Sequence, residues 1–213
     1  GISLGANAES VNIDGLYYEL NSPKTGEATL TYQNTTTSNY SSLPASVAIP
    51  EKVTYNGTEY TVTTIADRAF ANCTSLKSIS IPGSVTSIGW LKSYDSTSPS
   101  YRDYYENAGT ALPFYNCTSL KSIRFEDGNA TLYLGSAYGE SDIFSSPKGK
   151  GLFYFSPLEE VYLGRNVQYI ELSSSTSSTF IENPKYYGYS AFYNQSKLTK
   201  VTIGPEVESL PNY

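Results

Sequence analysis

Apolar residues in this chain recur in short groups with a fixed internal spacing. A Leu is followed by apolar residues three and five positions on at Leu76, Ile79 and Ile81, and again at Leu120, Ile123 and Phe125. The same spacing returns at Leu158, Val161 and Leu163, and at Leu198, Val201 and Ile203. Inward residues at every second position mark a strand with one buried face, so each group predicts a short strand. Four positions after the last residue of each group stand Val85, Asn129, Val167 and Val207, and three further on stand Ile88, Leu132, Ile170 and Leu210. Only Asn129 is polar. This second pair predicts an apolar wall opposite the strands.

An aromatic anchor precedes each group. Phe70, Phe114 and Phe192 stand six residues before Leu76, Leu120 and Leu198, whereas Phe153 stands five before Leu158. An earlier partial unit is also visible, in which Val47, Ile49, Pro50 and Val53 match Ile79, Ile81, Pro82 and Val85, and Ile65 takes the place of Ile88. One eight-residue string, Asn-Cys-Thr-Ser-Leu-Lys-Ser-Ile, occurs twice, at 72–79 and 116–123. Such self-similarity marks a repeat array in which single units cannot bury their apolar face and stacked units can. The leucines are 44, 38 and 40 residues apart, against a bare unit of ~23 residues. The surplus falls in the same gap each time, predicting insertions near 90–112, 133–151 and 172–189.

Leu76-Lys-Ser-Ile-Ser-Ile-Pro-Gly-Ser-Val-Thr-Ser-Ile-Gly89, with Ala69-Phe-Ala-Asn-Cys-Thr-Ser-Leu76 ahead of it, resembles the BspA-type leucine-rich repeat. The resemblance covers about 46–213. It implies a β-rich leucine-rich-repeat solenoid of the right-handed α/β-horseshoe class with few helices. It also implies a secreted or outer-surface protein of a gut or oral bacterium, one that binds host matrix or mucosal protein, such as fibronectin, or other cells.

Residues 1–45 read as an N-terminal β-hairpin cap, and 46–213 as about four repeat units plus a truncated fifth. Val11, Ile13, Leu16 and Tyr18 form one alternating run, and Ala28, Leu30 and Tyr32 another. Asn21-Ser-Pro-Lys-Thr-Gly26 between them reads as the hairpin turn. The opening GISLGANAES lacks both Met and an apolar leader, and reads as a processed chain whose leader is absent.

Composition narrows the functional classes. Fourteen Lys and Arg against twenty Asp and Glu give a net charge of -6, spread along the chain, which disfavours nucleic acid and anionic lipid as partners. No stretch approaches the ~20 apolar residues of a membrane span. The absence of His removes Ser-His-Asp and Cys-His arrangements and His-based metal sites. The expectation is a monomer with no cofactor, no metal and no catalytic residue. Cys73 and Cys117 share one repeat position and read as inert buried thiols. The acidic pairs Glu126/Asp127, Glu159/Glu160 and Glu140/Asp142 leave glycoside hydrolysis as an open alternative, although adjacent acids are usually solvated.

The twenty-one Tyr carry the binding expectation. Trp90, Tyr94, Tyr101, Arg102, Tyr104 and Tyr105 fall in the first insertion, Tyr133 and Tyr138 in the second, and Tyr186, Tyr187 and Tyr189 in the third. Tyr beside Ser, Gly and Asn suits recognition loops, which engage a protein or a glycan. The alternative for any single Tyr is packing of the loop onto its own repeat. For the whole chain, the alternatives to recognition of a protein are a spacer that displays another domain and a glycan-binding module.

Overall fold

The computed structural model describes residues 10–33, 40, 43–89, 112–135, 152–169, 191–192 and 195–210; every described element is a strand or a turn, with no helix among them. Each Leu-x-x-apolar-x-apolar group forms a strand. These are β7 (Ser78–Ile81), β9 (Ser122–Phe125), β11 (Glu160–Leu163) and β13 (Lys200–Ile203), and the partial unit supplies β4 (Ser46–Ala48). They form one five-stranded parallel sheet in the order β13-β11-β9-β7-β4. Ile79, Ile123, Val161 and Val201 lie opposite one another across it, as do Ile81, Phe125, Leu163 and Ile203.

The leucines stand at one level. The carbonyl after Leu76, that of Lys77, accepts the amides of Lys121 and Ser122 at 2.9 and 3.2 Å. The carbonyl of Lys121 accepts those of Glu159 and Glu160, and the carbonyl of Glu159 accepts those of Thr199 and Lys200. Leu76, Leu120 and Leu158 are fully buried, while Leu198 is half-buried.

A second sheet forms the expected opposite wall. Four of its strands run parallel in the order β6 (Thr58–Ile65), β8 (Ser87–Ile88), β10 (Leu132–Leu134) and β12 (Val167–Tyr169). The register differs from the expected frame. Ile88 lies opposite Leu134 rather than Leu132, and Leu132 lies opposite Val167. The stretch around Asn129, where the apolar pattern fails, carries two extra residues. Against β8 the slip is two, which keeps the same side chains inward, since strands have a period of two, and Leu132 and Leu134 are both buried. Against β12 it is three, since the frame puts Asn129 opposite Val167, and Ile170 lies outside the described residues. Tyr133 and Leu134 therefore belong to a paired strand and not to the insertion expected from 133. Val207 and Leu210, expected in this wall, lie outside any strand, and Leu210 is 55% exposed.

The N-terminal segment contains two hairpins where one was expected. The run Val11–Tyr18 breaks into β1 (Val11–Ile13) and β2 (Leu16–Leu20), paired antiparallel. Asp14-Gly15 makes the turn, with φ of 52° and 93°. Asn56-Gly57 does the same between β5 (Lys52–Tyr55) and β6, with φ of 50° and 79°. Positive φ at both central residues is what a two-residue type I′ hairpin requires, and Asp-Gly and Asn-Gly supply it at least strain. The expected turn at 21–26 joins β2 to β3 (Glu27–Thr31), and β3 pairs parallel with β6.

The core lies between the two sheets and is closed on one side by the aromatic anchors. The rings of Tyr40, Phe70, Phe114, Phe153 and Phe192 form a column with centroid separations of 5.8, 5.7, 5.2 and 5.5 Å. Thr29, Thr31, Ser87 and Ser156 are also buried, and Arg165, at 1% exposure, is the charged residue buried among the described residues. Its guanidinium donates to the carbonyls of Pro82 (2.8 Å) and Val85, closing a turn two units away. Gly128 makes room for it, because a Cβ there would stand 3.3 Å from Arg165 Cδ. Burial lowers its pKa to about 10, which leaves it charged at neutral pH.

Candidate functional site

The ten residues expected to bind ligand (Trp90, Tyr94, Tyr101, Arg102, Tyr104, Tyr105, Tyr138, Tyr186, Tyr187 and Tyr189) lie outside the described residues. Of the tyrosines assigned to insertions, Tyr133 is described, on β10 and 43% exposed.

What the described residues do present is the outer face of the five-stranded sheet. Alternation along each strand sends Ile79, Ile81, Ile123, Phe125, Val161 and Leu163 inward, so Ser80, Arg124 and Tyr162 must point outward. The register places those three opposite one another on β7, β9 and β11. The guanidinium carbon of Arg124 lies 4.0 Å from the centre of the Tyr162 ring. Arg124 Nε donates to Glu126 Oε1 at 2.8 Å, and Ser80 Oγ donates to the same oxygen at 2.9 Å. The Tyr162 hydroxyl donates to Asp127 Oδ1 at 2.5 Å. Gly204 leaves space for this contact, because a Cβ there would stand 2.6 Å from the hydroxyl and 3.0 Å from Asp127 Oδ1. Four consecutive units thus contribute to one polar cluster.

The electrostatics follow from these contacts. The hydrogen bond from Arg124 holds the Glu126 carboxyl below its ordinary value, and in return raises the arginine further. Donation to Asp127 raises the Tyr162 hydroxyl. A carboxylate acting as a general acid needs its pKa raised. Glu126 is shifted the other way by its hydrogen bond from Arg124, as suits an ion pair. Glu159 is exposed immediately before β11 and Glu160 is exposed on it; Glu140 and Asp142 lie outside the described residues. Cys73 and Cys117 are buried free thiols: desolvation raises Cys73 to about 12 and raises Cys117 as well. Cys117 Sγ donates to the Phe70 carbonyl of the preceding unit at 3.0 Å. Gln195, three residues after Phe192 as Cys117 is after Phe114, makes the equivalent bond to the Phe153 carbonyl at 2.7 Å. Among the described residues no group of three or more His, Cys, Asp or Glu could hold a metal ion, and no helix is long and apolar enough to cross a membrane.

Sequence reasoning overlooked the Arg124–Tyr162 cluster although the signal was present. Both residues occupy the outward middle position of consecutive strands, and a constant register makes such positions neighbours.

A model of the BspA type leucine rich repeat region matches residues 51–137 and 146–213, in six copies. No curated protein matches the chain. Among solved structures, a leucine rich cell surface protein from Faecalibacterium prausnitzii is 21% identical with a TM-score of 0.45, over 95% of this chain and 45% of that one. A leucine-rich repeat protein from Bacteroides capillosus is 21% identical with a TM-score of 0.47, over 92% of this chain and 99% of that one. One from Bacteroides ovatus is 20% identical with a TM-score of 0.44, over 95% and 43%. The chain therefore spans less than half the length of the first and third of these proteins.

Proposed function

Because the chain belongs to the BspA-type leucine-rich repeat family, we propose that it is a non-catalytic recognition module, displayed at a bacterial surface or secreted, that binds a protein partner. In this reading the repeats form a right-handed solenoid of horseshoe class. The strands β1, β2 and β3 cap its first unit, with residues 1–45 as the cap and 46–213 as the repeat domain. A scaffold of this kind hosts many specificities, so function has to be argued from a site.

One observation carries the proposal: the outer face of the parallel sheet holds Arg124 and Tyr162 in a fixed geometry while leaving them in contact with solvent. Arg and Tyr are enriched among the residues that dominate protein interfaces, and side chains already immobilised lose less entropy on binding. Trp90, Tyr94, Tyr101, Arg102, Tyr104, Tyr105, Tyr138, Tyr186, Tyr187 and Tyr189 form a second proposed contact region, on the chemistry of their residue types alone.

The test sets immobilised host matrix and mucosal proteins beside a glycan array. Saturable binding to a protein, weakened when Tyr101, Tyr104 and Tyr105 are changed to Ala or when Arg124 is changed to Gln with the melting temperature unaltered, is the expected result. Binding to glycans alone, release of reducing sugar, or no binding to any ligand class contradicts the proposal; the last favours a spacer.

A further inference from the structure

Five polar side chains, Ser80, Arg124, Glu126, Asp127 and Tyr162, meet on the sheet face, and Arg124 is left with unused hydrogen-bonding capacity. Arg124 spends its Nε on Glu126 and one face of its guanidinium on the Tyr162 ring. Its two terminal nitrogens meet no acceptor among the described residues, and its side chain is 50% exposed. The supporting atoms are themselves held. Glu126 is fixed by Ser80 and the Tyr162 ring by Asp127. The guanidinium is thus held by Glu126 and the Tyr162 ring while its side chain stays half exposed to solvent.

A planar fork of two N–H donors matches a carboxylate, which accepts both in parallel. The surroundings restrict what else fits. Glu126 and Asp127 lie beside the fork, and Glu159 and Glu160 are exposed just before and on the adjacent strand β11. These four carboxylates, of which Glu160 lies opposite Lys200 on β13, disfavour a ligand with dense negative charge. A single carboxylate meets the same field and offsets it by pairing with both unoccupied donors of Arg124. Tyr162 offers the neighbouring ring surface to an apolar or aromatic residue beside that carboxylate.

We infer that Arg124, stacked on Tyr162 and braced by Glu126, is the docking point for one Asp or Glu side chain of a short peptide segment in a protein partner. This rests on the recognition reading above and assigns the chemistry of its contact.

The experiment uses the full chain against a library of eight-residue peptides with a central Glu and randomised flanks, beside the matched library with central Gln. Selected Glu peptides are expected to lose about tenfold or more in affinity in their Gln form, the effect of removing a charged hydrogen-bonding partner. The same loss is expected for Arg124→Gln, and a clear loss for Arg124→Lys, which keeps the charge and loses the planar fork. Heparin, as a dense polyanion, is expected not to compete. Unchanged melting and circular dichroism of the variants establish that the fold persists. In the wild type, the Nε–H resonance of Arg124 should shift on addition of a selected peptide. The inference is overturned if no peptide binds, if binding is indifferent to Glu→Gln or to Arg124→Gln, or if heparin competes. It is also overturned if sialyllactose, whose carboxylate sits on a sugar, occupies the site in preference to every peptide. Should the chain still bind a matrix protein with Arg124→Gln fully active, recognition stands and this site falls; loss of all matrix binding by the wild type removes both.

Discussion

The two edge strands of the five-stranded sheet carry the same pattern and lie in opposite environments. On β4, at one edge, Val47 and the following Ile49 are 6% and 5% exposed. On β13, at the other edge, the corresponding Val201 and Ile203 are 50% and 51% exposed. Residue type does not separate them, since both edges offer Val and Ile. The difference is what lies alongside. Val47 and Ile49 belong to the one buried apolar cluster that runs from Leu16 to Ala191. Val201 and Ile203 lie outside that cluster, and among the described residues β13 pairs with β11 on one side and with no strand on the other. In a stacked array, burial is conferred by the next layer, and each layer's stability is in large part its neighbours'.

The largest break in this comparison comes from the middle of the stack. Ile123→Asp, at a fully buried position with a strand on either side, is expected to cost more than about 4 kcal/mol and to abolish cooperative unfolding. Val201→Asp, at the corresponding position of β13, should cost about 1 kcal/mol or less. Thermal and urea unfolding of the two variants checks this directly, and equal destabilisation would mean that the register is wrong. A finer contrast uses the two edges themselves. Val47→Ala should cost roughly 1–2 kcal/mol, by lost burial and an unfilled space, against a few tenths for Val201→Ala. Chemical denaturation resolves a difference of this size.

The smallest effect concerns the thiols. Burial raises both above their ordinary value, Cys73 to about 12. A raised pKa leaves the thiol protonated below it, so at pH 8 almost no thiolate exists to react. Both should resist a thiol reagent in the native protein and label once it is denatured. Cys73, at 8% exposure, should precede Cys117, at 0%, as denaturant is added.

Much of this architecture was legible in the sequence because repeats convert weak local signals into a constant frame. The strand positions, the opposed wall, the level row of leucines and the aromatic anchors all followed from spacing. What escaped did so for identifiable reasons. The slip of two residues between β8 and β10 leaves the inward pattern intact, so periodicity could not detect it. Asp14-Gly15 was absorbed into an alternating run, although its dipeptide is a strong turn signal. Arg165 could not be foreseen, because its partners are carbonyls of a turn some eighty residues earlier in the chain. For the candidate site the signal was sparse, since a lone Arg and a lone Tyr on separate strands meet only through the register. Aromatic-rich insertions drew the binding expectation, while Arg124 and Tyr162 sat singly in strands whose alternation already determined that they face outward.

Three amides make the same hydrogen bond in successive units and test the dependence on neighbours most directly. Glu126 donates to Ile81, Gly164 to Phe125 and Gly204 to Leu163, at 2.8, 2.8 and 2.7 Å. Site-resolved hydrogen exchange on the native chain should find Glu126 and Gly164 exchanging slowly and together, through a common opening. Gly204 is itself buried, yet it follows β13, beyond which no strand pairs among the described residues, and it should exchange much faster despite its equally short bond. Matching protection at all three amides would contradict the account, because stability would then reside in the individual bond and not in the layer that covers it.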